Sequence, residues 1–119
     1  MRELKAYIDR FARPEEKDAF IRIGSYSLHT IAEVLYHRAT PVKHLSPHEF
    51  NALLLLAQNR NEIVPYETLS EKVWGKKHSQ TEASMNNVIS RLRKLLTNDS
   101  DVRILTRKNH GYKLVYGNI

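Results

Sequence analysis

Apolar residues change their spacing along the chain, and the changes mark the predicted elements. From Phe20 to Leu45, short apolar runs are separated by turn residues such as Gly24-Ser25, which predicts a small antiparallel sheet. The segment Ser46-Pro47-His48-Glu49 then combines a serine cap, a proline in the first turn and a glutamate three residues after the cap. This capping box predicts the start of a helix. The residues that follow are apolar nearly all round the helix, which predicts that it lies at the centre of the core: Phe50, Leu53, Leu54, Leu55, Leu56 and Ala57.

Two more helices and a hairpin follow. Tyr66–Trp74 fits a second helix that ends at Gly75, a residue type suited to a C-terminal cap. A second capping box, Ser79 to Glu82, predicts the start of a third helix over Thr81–Thr97. Its predicted inner face has helical spacing and consists of Met85, Val88, Ile89, Leu92, Leu95 and Leu96.

The last third of the chain predicts two strands joined by a tight turn. Val102–Arg107 and Tyr112–Tyr116 have strand-like composition, and Lys108-Asn109-His110-Gly111 lies between them. Asn and Gly tolerate the positive φ angles that such hairpin turns need. The order of three helices followed by a basic hairpin is that of a winged helix.

The N-terminal eighteen residues have a different character. Leu4, Tyr7, Ile8 and Phe11 recur at spacings of three and four, which predicts a helix over Met1–Ala12. A charged stretch interrupted by Pro14 follows. We therefore expect residues 1–18 to be a linker or the end of a preceding element, and residues 19–119 to form one domain.

Charge and composition narrow the function. The net charge is +6 and the pI is near 9.7, but residues 84–119 alone carry +5, whereas residues 1–83 carry +1. A focused basic region attracts polyanions, nucleic acid first. The chain has no cysteine and no apolar run long enough to span a membrane, and its N-terminus lacks a signal-peptide pattern. We expect a soluble protein of the cytoplasm.

The exposed side of the third helix offers side chains suited to reading DNA. Asparagine pairs with the edge of adenine and arginine with N7 and O6 of guanine in the major groove. The candidate base-reading residues are Ser84, Asn86, Asn87, Ser90 and Arg91. The candidate contacts to phosphate, including those of the wing, are Arg93, Lys94, Arg107 and Lys108.

Other interpretations remain open at this point. Polar residues opposite an apolar stripe are most often only the solvated side of a helix, and a winged helix can also serve as a protein-interaction module. His44 and His48 are four residues apart, but the helix start between them prevents a shared face, so no metal site and no other cofactor is predicted. No motif pairs a nucleophile with a base. We therefore do not expect an enzyme.

Four segments together resemble the OmpR/PhoB-type winged-helix effector domain of bacterial two-component response regulators. The resemblance extends over residues 20–116, most of the chain. In order, they are Leu45-Ser46-Pro47-His48-Glu49-Phe50, Val73-Trp74-Gly75, Ser90-Arg91-Leu92-Arg93-Lys94-Leu95-Leu96 and Thr106 through Leu114. The resemblance implies an α+β fold: an N-terminal antiparallel four-stranded sheet, three helices and a C-terminal β-hairpin wing.

The resemblance also implies functional roles. Ser84, Asn87 and Arg91 match base-facing positions, and Lys108 matches a wing arginine. The loop with Lys76, Lys77 and His78 matches a segment through which such domains contact RNA polymerase. Relatives suggest a dimer on double-stranded DNA and a monomer when the domain is isolated, with no membrane contact in this chain. Asn86, Ala83 and Asn109 depart from the family pattern, so the DNA sequence recognised is not predicted.

The N-terminal segment resembles the last helix of a receiver domain. This similarity implies that residues 1–18 join the domain to a phosphorylatable receiver in a longer response regulator. The alternative is a one-component regulator of the ToxR/CadC type, whose membrane helix would follow Ile119.

Overall fold

The computed structural model describes residues 19–75 and 82–117. Their elements form an N-terminal sheet, three helices and a C-terminal hairpin in the predicted order. The strands are β1 (Phe20–Ile23), β2 (Tyr26–His29), β3 (Val34–His37), β4 (Thr40–His44), β5 (Val64–Pro65), β6 (Arg103–Arg107) and β7 (Gly111–Val115). The helices are α1 (Pro47–Gln58), α2 (Tyr66–Trp74) and α3 (Glu82–Leu95). The helix predicted over Met1–Ala12 and the linker after it lie outside the described residues.

The N-terminal sheet is an antiparallel meander, with its strands in the order β1-β2-β3-β4. Side chains that alternate toward the helices, among them Ile23, Tyr26, Leu28 and Leu35, are fully buried. The β1–β2 turn lies close to the segment after α3, because a Cβ atom at Gly24 would approach Val102 Cγ2 to 2.5 Å. The sheet and the helices therefore share one core.

Helix α1 begins as the capping box predicts. The Ser46 hydroxyl accepts a hydrogen bond from the Glu49 amide, and the Glu49 carboxylate accepts one from the Ser46 amide. Leu53 and Leu56 are fully buried, and Phe50 is nearly so. The helix packs against both α2 and α3, which confirms its central position in the core.

Helix α2 has its predicted bounds, and Gly75 follows it with φ of 89°. Leu69 and Val73 are buried as expected. Trp74 is only half-buried, and the centroids of its ring and of the His48 ring are 5.4 Å apart. Trp74 therefore covers the edge of the core rather than filling its centre.

Helix α3 is described from Glu82 to Leu95, within the predicted span 81–97. The predicted inner face is confirmed, since Met85, Val88, Ile89, Leu92 and Leu96 are buried and Leu95 packs against them from a half-buried position. Thr81 and the second capping box at Ser79 fall outside the described residues.

The C-terminal hairpin belongs to a sheet with one strand more than the sequence pattern predicted. The short strand β5 pairs with β7, and the sheet order is β5-β7-β6. Gly111 permits this pairing, because a Cβ atom there would overlap the Val64 carbonyl oxygen. A two-residue strand is too short for a periodicity to show in the sequence. The sheet fixes the base of the wing against the start of α2.

Candidate nucleic-acid interface

The outer face of α3, defined as Asn87, Ser90 and Lys94, is exposed to solvent. These residues lie opposite the buried stripe, as a repeat of about 3.6 residues per turn requires. Ser84, one turn before Asn87, is half-buried. The structure thus brings four of the predicted DNA contacts onto one continuous strip of the helix.

Arg91 continues this strip toward the start of α1. Its side chain is 55% exposed, and its Nε atom lies 3.8 Å from Oε2 of Glu49. The Nζ atom of Lys43, on β4, lies 3.0 Å from both carboxylate oxygens of Glu49. Two cations from distant parts of the chain therefore converge on one carboxylate at the edge of the candidate interface.

The wing flank of α3, defined as Asn86 and Arg93, is exposed but also contacts β6 and β7. Nε and Nη2 of Arg93 donate hydrogen bonds to the Ile104 carbonyl at 2.9 and 2.7 Å, and Nη2 also donates to the Thr106 hydroxyl at 2.8 Å. Asn86 Oδ1 accepts a hydrogen bond from the Tyr112 hydroxyl. These contacts favour a role in holding the wing to α3, and the predicted roles of both residues at DNA stay predictions.

The tip of the wing carries the other predicted phosphate contacts. Arg107 and Lys108 are exposed, and Asn109 adopts φ of 68°, as the hairpin turn was expected to require. The carbonyl of His110 accepts a hydrogen bond from the Tyr66 amide at 3.1 Å, which anchors the tip to the first residue of α2. A cleft of about 490 Å³ separates this tip from the start of α3.

Two ionisable groups near the interface have shifted pKa values. Burial raises the pKa of Glu49, but hydrogen bonds from the Ser46 amide and from Lys43 outweigh it, so the net pKa is lowered. Burial raises the pKa of the Tyr112 hydroxyl, which therefore stays protonated and donates to Asn86 at neutral pH. The interface thus contains a fixed carboxylate and a fixed hydroxyl donor.

Sequence reasoning missed the contribution of Lys43 and the second role of Glu49. Glu49 was identified only as a capping residue, and Lys43 was not identified at all. Lys43 and Glu49 are six residues apart but belong to a strand and a helix, and Arg91 is distant in sequence, so no local spacing reveals the cluster. The predicted polymerase-contact residues Lys76, Lys77 and His78 lie outside the described residues.

The described part of the chain contains no helix that is long and apolar enough to cross a membrane. In the same residues, no group of three or more His, Cys, Asp or Glu side chains is placed to hold a metal ion.

Comparison with known proteins identifies relatives of one kind. The family model described as "Transcriptional regulatory protein, C terminal" matches residues 40–114. The transcriptional regulatory protein DltR of Streptococcus agalactiae serotype III (strain NEM316) is 34% identical over 95 residues, which are 79% of this chain and 42% of DltR. The chain therefore spans less than half the length of this curated relative.

Solved structures show the same fold. The DNA-binding domain of CpxR from E. coli superimposes with a TM-score of 0.73 at 26% identity, covering 83% of this chain and 98% of that domain. The DNA-binding domain of RstA from Klebsiella pneumoniae, solved in complex with the RstA box, gives a TM-score of 0.68 at 28% identity, covering 81% and 96%. The predicted winged-helix fold of the OmpR/PhoB type is confirmed.

Proposed function

This chain belongs to the family of C-terminal domains of transcriptional regulatory proteins, and from this premise we propose that it binds double-stranded DNA sequence-specifically. It acts as the effector domain of a transcription regulator. The observation that carries the proposal is the outer face of α3, which is exposed to solvent beside an exposed basic wing. An α-helix with such a strip fits the major groove, where each base pair presents a distinct pattern of donors and acceptors. The similar RstA domain, solved in complex with the RstA box, supports the same use of this fold.

Residues of the strip contact different parts of the DNA. Asn87 and Arg91, with Ser84 and Ser90 beside them, contact base edges from within the major groove. Lys94, further along the helix, contacts phosphate. This division follows from chemistry, because amide and guanidinium groups form paired hydrogen bonds with base edges, whereas a lysine ammonium acts on phosphate as a point charge.

The wing supplies a second contact. Arg107 and Lys108 at its tip reach the neighbouring minor groove or backbone, where the potential of DNA is strongly negative. Their exposure and the anchoring of the tip through His110 and Tyr66 support this role. The helix contact and the wing contact together orient the domain on the DNA.

The larger protein and its partners form part of the proposal. Residues 1–18 join this domain to a preceding receiver domain, and the length of DltR relative to this chain leaves room for one. The domain works as a dimer on repeated half-sites, contacts RNA polymerase through Lys76, Lys77 and His78, and acts in the cytoplasm, where the bacterial chromosome lies. These statements rest on family resemblance.

Selection of bound duplexes from random DNA, carried out at two salt concentrations, tests the proposal. We expect one enriched motif at both concentrations and weaker binding at the higher one, because phosphate contacts release counterions. A protein-interaction module would enrich no motif. Absence of enrichment at both concentrations would overturn the proposed function.

A further inference from the structure

Glu49 is a buried carboxylate that contacts three separate elements. Its side chain is 2% exposed, although glutamate is rarely buried without a partner. Oε1 accepts hydrogen bonds from the Ser46 amide at 2.9 Å and from Lys43 at 3.0 Å. Oε2 lies 3.0 Å from Lys43 Nζ and 3.8 Å from Arg91 Nε. The carboxylate thus links the start of α1 to β4 and to α3.

Capping of α1 explains only part of this arrangement. A capping box needs one acceptor oxygen for the amide of the cap residue, and Oε1 of Glu49 supplies it. Oε2 is not needed for the cap, and it lies between Lys43 and Arg91. A neutral glutamine could accept the same hydrogen bond, whereas the carboxylate also favours the N-terminal end of the helix dipole and pairs with Lys43 and Arg91.

The carboxylate attracts the guanidinium of Arg91 without a direct hydrogen bond, because Nε lies 3.8 Å from Oε2. The ion pair is formed by the Nε side of the group, and more than half of the side chain remains exposed. The terminal nitrogens can then point away from the protein with their donors available. Two parallel donors are what the O6 and N7 acceptors of guanine require. Restricting the side chain before binding also lowers the ordering cost of the complex.

We propose that Glu49 is a positioning residue that orients Arg91, so that the terminal nitrogens of the guanidinium face a guanine in the major groove. The inference rests on the proposed function and deepens it, because it names a residue outside α3 that determines specificity. Lys43, whose Nζ atom lies 3.0 Å from both carboxylate oxygens, offsets the negative charge of Glu49. It thereby allows the carboxylate to stay near DNA phosphates without repelling them.

The test compares Glu49→Gln with the matched control Lys43→Met. Both substitutions break the same ion cluster, but only Glu49→Gln removes the partner of Arg91. Affinities are measured for the selected duplex, for duplexes in which each guanine is replaced in turn, and for random DNA. Thermal unfolding verifies that both variants are folded.

We expect Glu49→Gln to lower the discrimination at one guanine by roughly 3- to 10-fold, a part of the effect of a good bidentate contact. Affinity for random DNA should be unchanged or higher, since a negative charge has been removed. Lys43→Met should keep the discrimination of the parent chain. In an Arg91→Ala background, Glu49→Gln should change the discrimination no further.

Three outcomes would overturn the inference. Full discrimination in Glu49→Gln would show that the charge does not orient Arg91. An equal loss of discrimination with and without Arg91 would show that Glu49 acts by another route. A parent chain without any sequence preference would remove the proposed function itself, and the inference with it, which distinguishes that failure from the other two.

A measurement on the parent chain covers the case in which Glu49→Gln does not fold. Nitrogen-15 relaxation of arginine Nε–H groups reports how strongly each side chain is restrained. We expect the Nε–H of Arg91 to be clearly more ordered than that of Arg107, an exposed residue of the wing. Equal mobility of the two groups would contradict the proposal.

Discussion

The wing flank and the outer face of α3 contain the same kinds of side chain but have different surroundings. Asn86 and Arg93 on the wing flank form hydrogen bonds with Tyr112, Ile104 and Thr106. Asn87 and Lys94 on the outer face are each one residue further along. All four residues are exposed, but Asn87 and Lys94 lie on the side of the helix opposite its buried stripe. A shift of one residue, about 100° around a helix, therefore separates polar groups that support the fold from groups available to a ligand.

Two neighbouring pairs make this comparison testable. The two members of each pair are nearly matched in chemistry, and one lies on the wing flank while the other lies on the outer face. The pairs are Asn86 with Asn87 and Arg93 with Lys94. If the comparison holds, the first member of each pair affects stability and the second affects DNA binding.

The largest effect on stability is expected for Arg93→Ala. The substitution removes three hydrogen bonds and leaves the carbonyl of Ile104, a buried residue, without its guanidinium donors, so the free energy of unfolding should fall by about 2 kcal/mol. Lys94→Ala is the control and should change it by less than about 0.5 kcal/mol. Urea unfolding measures both. Equal effects would show that the wing does not depend on Arg93.

The asparagine pair should show the same contrast on a smaller scale. Asn86→Ala removes the acceptor of the largely buried Tyr112 hydroxyl and should cost about 1 kcal/mol of stability. Asn87→Ala should leave the melting temperature nearly unchanged but weaken binding to the selected duplex. The comparison would fail if Asn86→Ala weakened specific binding while the protein remained as stable as the parent.

The wing tip should contribute to affinity without contributing to specificity. Lys108→Ala is expected to weaken binding to all duplexes alike and to reduce the slope of log affinity against log salt by about one. Titrations of a specific and a random duplex at several salt concentrations measure this. An unchanged slope would show that Lys108 does not contact phosphate.

The smallest effect concerns pH and the turn after α3. A hydrogen bond from the Ser25 hydroxyl at 2.7 Å, with further bonds from the amides of Asp101 and Ser25, lowers the pKa of Asp99. A lowered pKa in the folded state means that this contribution to stability is present above the unfolded pKa and is lost as the pH falls through the folded value.

The melting temperature should therefore decrease between about pH 5 and about pH 3, and Ser25→Ala should weaken this decrease. Melting curves at a series of pH values measure both. The same decrease in parent and variant would show that the Ser25 hydrogen bond does not set the pKa of Asp99.

The elements predicted correctly are those whose signals are local. The capping box at Ser46, the glycine after Trp74 and the inner face of α3 each depend on residues within a few turns of one another, and periodicity or cap chemistry reveals them. Strand β5 was missed, because its two residues form a strand only through pairing with β7.

The candidate site shows the same limit. The outer face of α3 followed from helical spacing alone. The different surroundings of Asn86 and Arg93, and the convergence of Lys43 and Arg91 on Glu49, depend on contacts between residues distant in sequence. A helical pattern predicts that these residues lie outside the core, but it does not distinguish a side chain that faces a wing from one that faces solvent.

Replacement of single guanines by 7-deazaguanine in the selected duplex tests most directly whether α3 reads the major groove. This base lacks the N7 acceptor but keeps its Watson–Crick edge and its minor-groove edge. We expect that one replacement weakens binding of the parent chain several-fold and has no effect on Arg91→Ala, whose own loss at the intact site should be about 1–3 kcal/mol. If no 7-deazaguanine position weakens binding, or if the parent and Arg91→Ala respond alike, Arg91 does not read a guanine in the major groove.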